Sequence, residues 1–245
     1  MIGLIGGSGL SQLEGLVLEQ QMQRETPFGE PSAPLMIGRY ANKTVAFLPR
    51  HGEHHTIPPH LINYRANIWA FHQLGVEQIL AIASVGGITE PYMPGTIALP
   101  DQLIDYSWGR ESSFASEDFS ADKHIDFTYP FDETLRQQIQ LAANSEEMMT
   151  VIDGGTYAVT QGPRLETAAE IQRLKNDGAD MVGMTAMPEA ALARELNIAY
   201  ASIAVVANQA AGLSSHPLTI EAILDTMEES MGQVRRLLKG VIPLL

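Results

Sequence analysis

The sequence predicts an α/β fold built around a largely buried sheet. Three observations carry that expectation. Apolar runs such as "MIGLIGG", "QILAIASVGG" and "AYASIAVVANQAAG" end in glycine or polar residues, as buried strands do. Between them, stretches such as 60–74 and 219–240 carry apolar residues at helical spacing. The two patterns alternate, the order expected of strands covered by helices.

Taken in order, "MIGLIGG" is a buried strand feeding a tight loop. "PLMIGRY" and "KTVAFLPR" flank Ala41-Asn42 as a hairpin, with Arg50 and His51 at its exit. Over 60–74, Leu61, Tyr64, Ile68, Phe71 and Leu74 share one helical face, and Gly75 stops the helix. "QILAIASVGG" is a second buried strand and "GTIALPDQLIDY" is extended. Residues 109–130, polar with scattered aromatics, form a long excursion or interaction loop. "ETAAEIQRLKNDG" is a helix ending at Gly178, "ADMVGM" a strand, and "PEAALAREL" a helix with Pro188 in its first turn. The strand "AYASIAVVANQAAG", the most apolar of all, precedes a closing amphipathic helix over 219–240. With no repeat, linker or low-complexity segment, residues 1–245 read as one domain.

Composition then narrows the function. A chain of 245 residues, 45% hydrophobic, is long enough for a substantial core. A formal net charge of -14 argues against a nucleic-acid partner, and the tight basic pair Arg235-Arg236 sits in an otherwise acidic helix. The absence of cysteine excludes thiol catalysis and disulfides. The N-terminus lacks a basic n-region and no stretch approaches 18 apolar residues, so a soluble cytoplasmic protein without a membrane span is expected.

Polar residues gather where strands end: Ser8, Arg50-His51, Ser84, Met184-Thr185 and Asn208. In open α/β sheets that edge is where ligands bind. "GLIGGSGLSQ" fails both nucleotide-loop patterns, because Gln12 stands at the third glycine position and no Gly-Lys-Ser/Thr follows. It is either a tight turn or a cradle for a small anion, formed by backbone N–H groups and the Ser8 hydroxyl. "RHGEHHTIPPH" crowds four of the seven histidines, but Gly52, Pro58 and Pro59 argue against a helix that would present metal ligands. Beside them Arg50 favours an anion, since a guanidinium repels a cation and forks onto phosphate. Locally, Glu166 is a helix-opening carboxylate and Glu170 a solvated or capping one, while Asn208 is either a turn residue or a buried amide needing partners.

Together "GLIGGSGL", "ETPFGEPSAPL", "RHGEHHTIPPHLINYRANIWA", "GPRLETAAEI", "DMVGMTAMPEAALARE" and "YASIAVVAN" resemble the trimeric purine nucleoside phosphorylase family, in its methylthioadenosine and methylthioinosine branch. The likeness runs from residue 2 to about 240. It implies a mixed central sheet flanked by helices, a cytoplasmic homotrimer, and cleavage of a nucleoside by inorganic phosphate as co-substrate, with no metal or other cofactor. By resemblance, Ser8, Arg50, His51 and Thr185 hold phosphate, with Ser84 contributing where relatives carry a polar residue at the position of Ala83. Met184 lies under the ribose, His55 faces the sugar, and Leu165 packs on the base. Asn208 and His51 are the catalytic residues this implies.

The resemblance also separates the substrates. The adenine-specific branch has aspartates where this chain has Asn208 and Ala210, whereas Asn208 with Glu166 matches the 6-oxopurine pattern. An asparagine amide donates to O6 or N7, and Glu166 accepts from N1–H. The 5' position matches apolar Ile220 rather than a histidine, and His124 matches a residue that the branch supplies from a neighbouring subunit. Hypoxanthine with a methylthio group gives S-methyl-5'-thioinosine. His216, in the poorly aligning loop 209–217, is the residue through which a 5'-hydroxyl would be recognised instead. Methylthioadenosine phosphorylase, a general inosine/guanosine phosphorylase and a non-catalytic nucleoside-binding protein are the alternatives, the last disfavoured by an intact phosphate clamp.

Overall fold

The structure, a computed structural model, describes residues 1–7, 10, 12–115, 120–145, 151–214 and 220–245. Its strands are β1 (Ile2–Gly6), β2 (Val17–Met22), β3 (Leu35–Tyr40), β4 (Lys43–Pro49), β5 (Gln78–Gly87), β6 (Ile97–Leu99), β7 (Gln102–Asp105), β8 (Val151–Asp153), β9 (Thr156–Val159), β10 (Met181–Gly183) and β11 (Ala199–Gln209). Its α-helices are α1 (Tyr64–Gln73), α2 (Glu133–Ser145), α3 (Ala168–Asn176), α4 (Ala186–Glu195) and α5 (Ile220–Val241). The expected α/β class and mixed sheet are both found. The hairpin closes through Ala41 and Asn42, both at positive φ, as a two-residue turn between twisted strands requires.

Two apolar layers cover the sheet. Ile68, Phe71 and Leu192 from α1 and α4 pack on one side, and Leu135, Ile139, Val234 and Leu237 from α2 and α5 on the other. Leu61 departs from the expected helical face: it lies in a 3-10 turn before Asn63 caps α1, and is 67% exposed. Helix α3 ends before Gly178, whose φ of 92° is the left-handed conformation a helix stop favours.

One topological feature positions everything that follows. Strand β5 pairs in parallel with β1 only through Ala81, and antiparallel with β10 only from Gly86. Over Ile82–Val85 the two neighbours part, while β11 continues along the opposite edge of β5. The sheet therefore opens beside the C-terminal half of β5, where the ends of β1, β4, β10 and β11 converge. A split of this kind in an α/β sheet is where a ligand finds backbone groups and side chains together.

Candidate active site

A cavity of about 430 Å³ fills the split. Arg50, His51, His55, Ser84, Leu165, Glu166, Met184, Thr185, Asn208 and Ala210 all line it, so most of the residues singled out in the sequence come together. Ser8, His216 and the side chain of Ile220 lie outside the described residues. Ile223, one helical turn further along α5, lines the cavity as an apolar residue that sequence reading passed over. His124 instead lines a second cavity with Phe114, Lys123 and Arg194.

The anion end is built into the core. Arg50 follows β4, and its backbone N–H donates to Gly6 of β1, which turns the side chain under the split. It is 1% exposed, and its expected fork onto phosphate is already engaged. Nε and Nη2 donate to the two carboxylate oxygens of Glu189, each at 2.8 Å, and Nη1 donates to the Ile82 carbonyl at 2.8 Å. Three of the five guanidinium N–H bonds are thus spent on protein, leaving two for a ligand. Burial opposes the charge, but Glu189 more than offsets it and the Arg50 pKa is raised. Glu189 is fully buried and also accepts from the Tyr200 hydroxyl at 2.7 Å. Gly7 permits the approach, because a Cβ there would sit 2.6 Å from the Ile82 carbonyl oxygen and 3.0 Å from Arg50 Nη1.

His51 is set by its neighbours. Its Nδ1 lies 2.8 Å from the Ile57 carbonyl, which only accepts, so Nδ1 carries the proton and Nε2 is an acceptor in the neutral ring. Burial, helped by the adjacent Arg50 charge, lowers its pKa to about 4, so the ring is neutral at physiological pH. The His55 ring lies 4.4 Å away, centroid to centroid, on a residue with φ of 52°. Thr185 is the N-cap of α4, yet its hydroxyl makes no capping bond.

The opposite wall is more lightly held. Glu166 precedes α3 rather than opening it: Thr167 is the N-cap and forms a capping box with Glu170. Glu170 also binds Arg164 through both oxygens, which together with the Thr167 N–H brings its pKa down to about 2. Glu166 Oε1 accepts from the Thr160 hydroxyl at 2.6 Å, which orients the carboxylate. Asn208 lies within β11, just past a register shift after Val206, and is half-buried. One N–H of its amide donates to the Gln209 carbonyl at 2.7 Å, leaving the other N–H and the carbonyl oxygen. Gly162, with φ of 64°, presses on Met184 so closely that a Cβ would lie 2.5 Å from its sulfur. Among the described residues, no group of three or more His, Asp or Glu converges as metal ligands.

The cavity in the split sheet thus has an arginine and a histidine at one end and a carboxylate and an amide at the other. The chain belongs to the phosphorylase superfamily, whose family model matches residues 1–243. It is 50% identical over 239 residues to a protein of Pseudomonas syringae pv. tomato named probable S-methyl-5'-thioinosine phosphorylase, covering 98% of this chain and 97% of that one. A probable 6-oxopurine nucleoside phosphorylase of Thermococcus kodakarensis is 44% identical, with 98% of this chain and 91% of that one covered. The fold is that of the nucleoside phosphorylases. Methylthioadenosine phosphorylase of Schistosoma mansoni, solved with adenine, superposes with a TM-score of 0.92 at 33% identity, covering 99% of this chain and 91% of that one.

Proposed function

We propose that the protein cleaves S-methyl-5'-thioinosine with inorganic phosphate, giving hypoxanthine and 5-methylthioribose 1-phosphate. The observation that carries this is the pairing of Glu166 with Asn208 in the same cavity as the anion end. Phosphate occupies that end, held by the two unspent Arg50 N–H bonds, Ser84, Thr185 and Ser8, with a phosphate hydroxyl donating to His51 Nε2. A phosphate oxygen bonds to C1' as the bond from C1' to N9 breaks, and its electron pair passes to the purine. The proton lost by phosphate ends on the departing base. Asn208 donates to N7 or O6 as negative charge develops there, and Glu166 accepts from N1–H.

The apolar Ile223 lining the cavity suits a methylthio group better than a 5'-hydroxyl. Relatives named for methylthioinosine at this identity support the same substrate. In this reading no metal takes part. The active form is a cytoplasmic homotrimer: His124, absent from the cavity of its own chain, belongs to the methylthio pocket of a neighbour. No helix among the described residues is long and apolar enough to cross a membrane. Incubation with S-methyl-5'-thioinosine tests the reaction. Hypoxanthine should appear only when phosphate is added, at a rate indifferent to chelator; release without phosphate, or none at all, refutes it.

A further inference from the structure

Arg110 lies in the polar excursion 109–130 and is not among the residues lining the cavity. Yet its guanidinium reaches six acceptors. Nη1 donates to the Met184 carbonyl at 2.8 Å, to the Met187 carbonyl, and at 3.4 Å to the Tyr64 hydroxyl. Nη2 donates to the carbonyls of Thr160 at 3.1 Å and Gln161 at 2.8 Å, and Nε to the Gln161 side chain at 3.2 Å. The guanidinium also sits over the Tyr64 ring, 5.5 Å from its centroid. Among the described residues no carboxylate lies within ion-pair range of it. The charge is spread over four backbone carbonyls instead.

Those carbonyls come from the segments that follow the paired strands β9 and β10. Thr160 and Gln161 follow β9 and lead to Gly162, and the Thr160 hydroxyl fixes Glu166. Met184 and Met187 bracket the start of α4 and carry Met184 and Thr185 into the cavity wall. A planar cation with five divergent N–H bonds bridges such a set, whereas an ammonium has three and a neutral side chain leaves carbonyls unpaired.

We propose that Arg110 is a positioning residue that holds the Glu166 loop and the Met184 floor in register, and so sets nucleoside recognition without touching the nucleoside. The inference rests on the site reading above, since it takes Glu166 and Met184 as the nucleoside's partners. Arg50, His51 and Ser84 hang on β4 and β5, outside the clamp, and of the phosphate groups named above Thr185 lies within it. Loss of Arg110 therefore weighs more on the nucleoside than on phosphate.

The test compares wild type with Arg110→Lys and Arg110→Ala, using whichever nucleoside the wild type cleaves best. A failure of the substrate reading is thus seen first, in the wild type. The nucleoside KM should rise at least tenfold in both variants and several times more than the phosphate KM, and discrimination between 6-oxo- and 6-aminopurine nucleosides should narrow. Millimolar methylguanidinium should restore part of the Arg110→Ala nucleoside KM. Variants that do not fold, KM values that rise together, or an unchanged nucleoside KM overturn the proposal.

Discussion

The two ends of the cavity are held in different ways. At the anion end, Arg50 and Glu189 are 1% and 0% exposed, joined at two atoms, with Tyr200 on the same carboxylate. At the other end, Glu166 depends on one hydroxyl, and Asn208 shares its amide with the carbonyl of the next residue. One end is core; the other is loop and strand terminus that can be retuned. On the function proposed above, phosphate is held at the first end and the base is selected at the second.

Breaking the ion pair gives the largest effect. Glu189→Ala leaves the Arg50 charge buried without its partner, a change of the kind that costs about 3–5 kcal/mol of stability. Calorimetry should show a sharply lowered Tm, and assays at least a hundredfold loss of phosphorolysis. A variant as stable and active as wild type would remove the distinction between the two ends.

The opposite wall should respond without that loss of stability. Asn208→Asp keeps the shape but replaces a donor to O6 or N7 by an acceptor, a change of about 1–3 kcal/mol in recognition. The ratio of kcat/KM for 6-oxo over 6-amino nucleosides should fall by roughly tenfold or more, with Tm nearly unchanged. A large drop in Tm with no change in that ratio would mean that the residue is structural.

The effect of His51 is negligible at neutral pH and appears only in acid. Its folded pKa of about 4 lies below the ordinary value of 6.5, so between those values the unfolded chain binds a proton that the folded one does not. Its contribution to stability is intact above pH 6.5 and is lost as pH falls toward 4, at up to about 1.4 kcal/mol per pH unit. His51→Gln should flatten that part of the stability profile measured by denaturant titration. An identical slope in the variant would assign the proton elsewhere.

Much of this was legible in the sequence because it obeys a period or sits at a strand end. Buried strands β1, β5 and β11, the hairpin, and Arg50, His51, Ser84, Thr185 and Asn208 are of that kind. Edge strand β2 was not, since five of its six residues are exposed and no burial alternation marks it. Helix α2 carried its signal in Leu135, Ile139 and Ala142 but went unread behind the polar excursion. Glu189 was hidden differently. Within "PEAALAREL" it looks like any helix carboxylate, and only folding brings it to an arginine 139 positions away. Arg110 is likewise silent, because its partners are carbonyls, which every residue has.

On the proposed function, one cavity joins a phosphate end to a 6-oxopurine end with an apolar 5' wall. The most direct measurement is kcat/KM, at saturating phosphate, for methylthioinosine, methylthioadenosine, inosine and adenosine side by side. Methylthioinosine should lead, with inosine behind it by the roughly tenfold or greater factor that an unpaired 5'-hydroxyl imposes, and the two adenine nucleosides far below. Preference for methylthioadenosine would contradict the roles of Glu166 and Asn208, and preference for inosine would contradict the apolar wall.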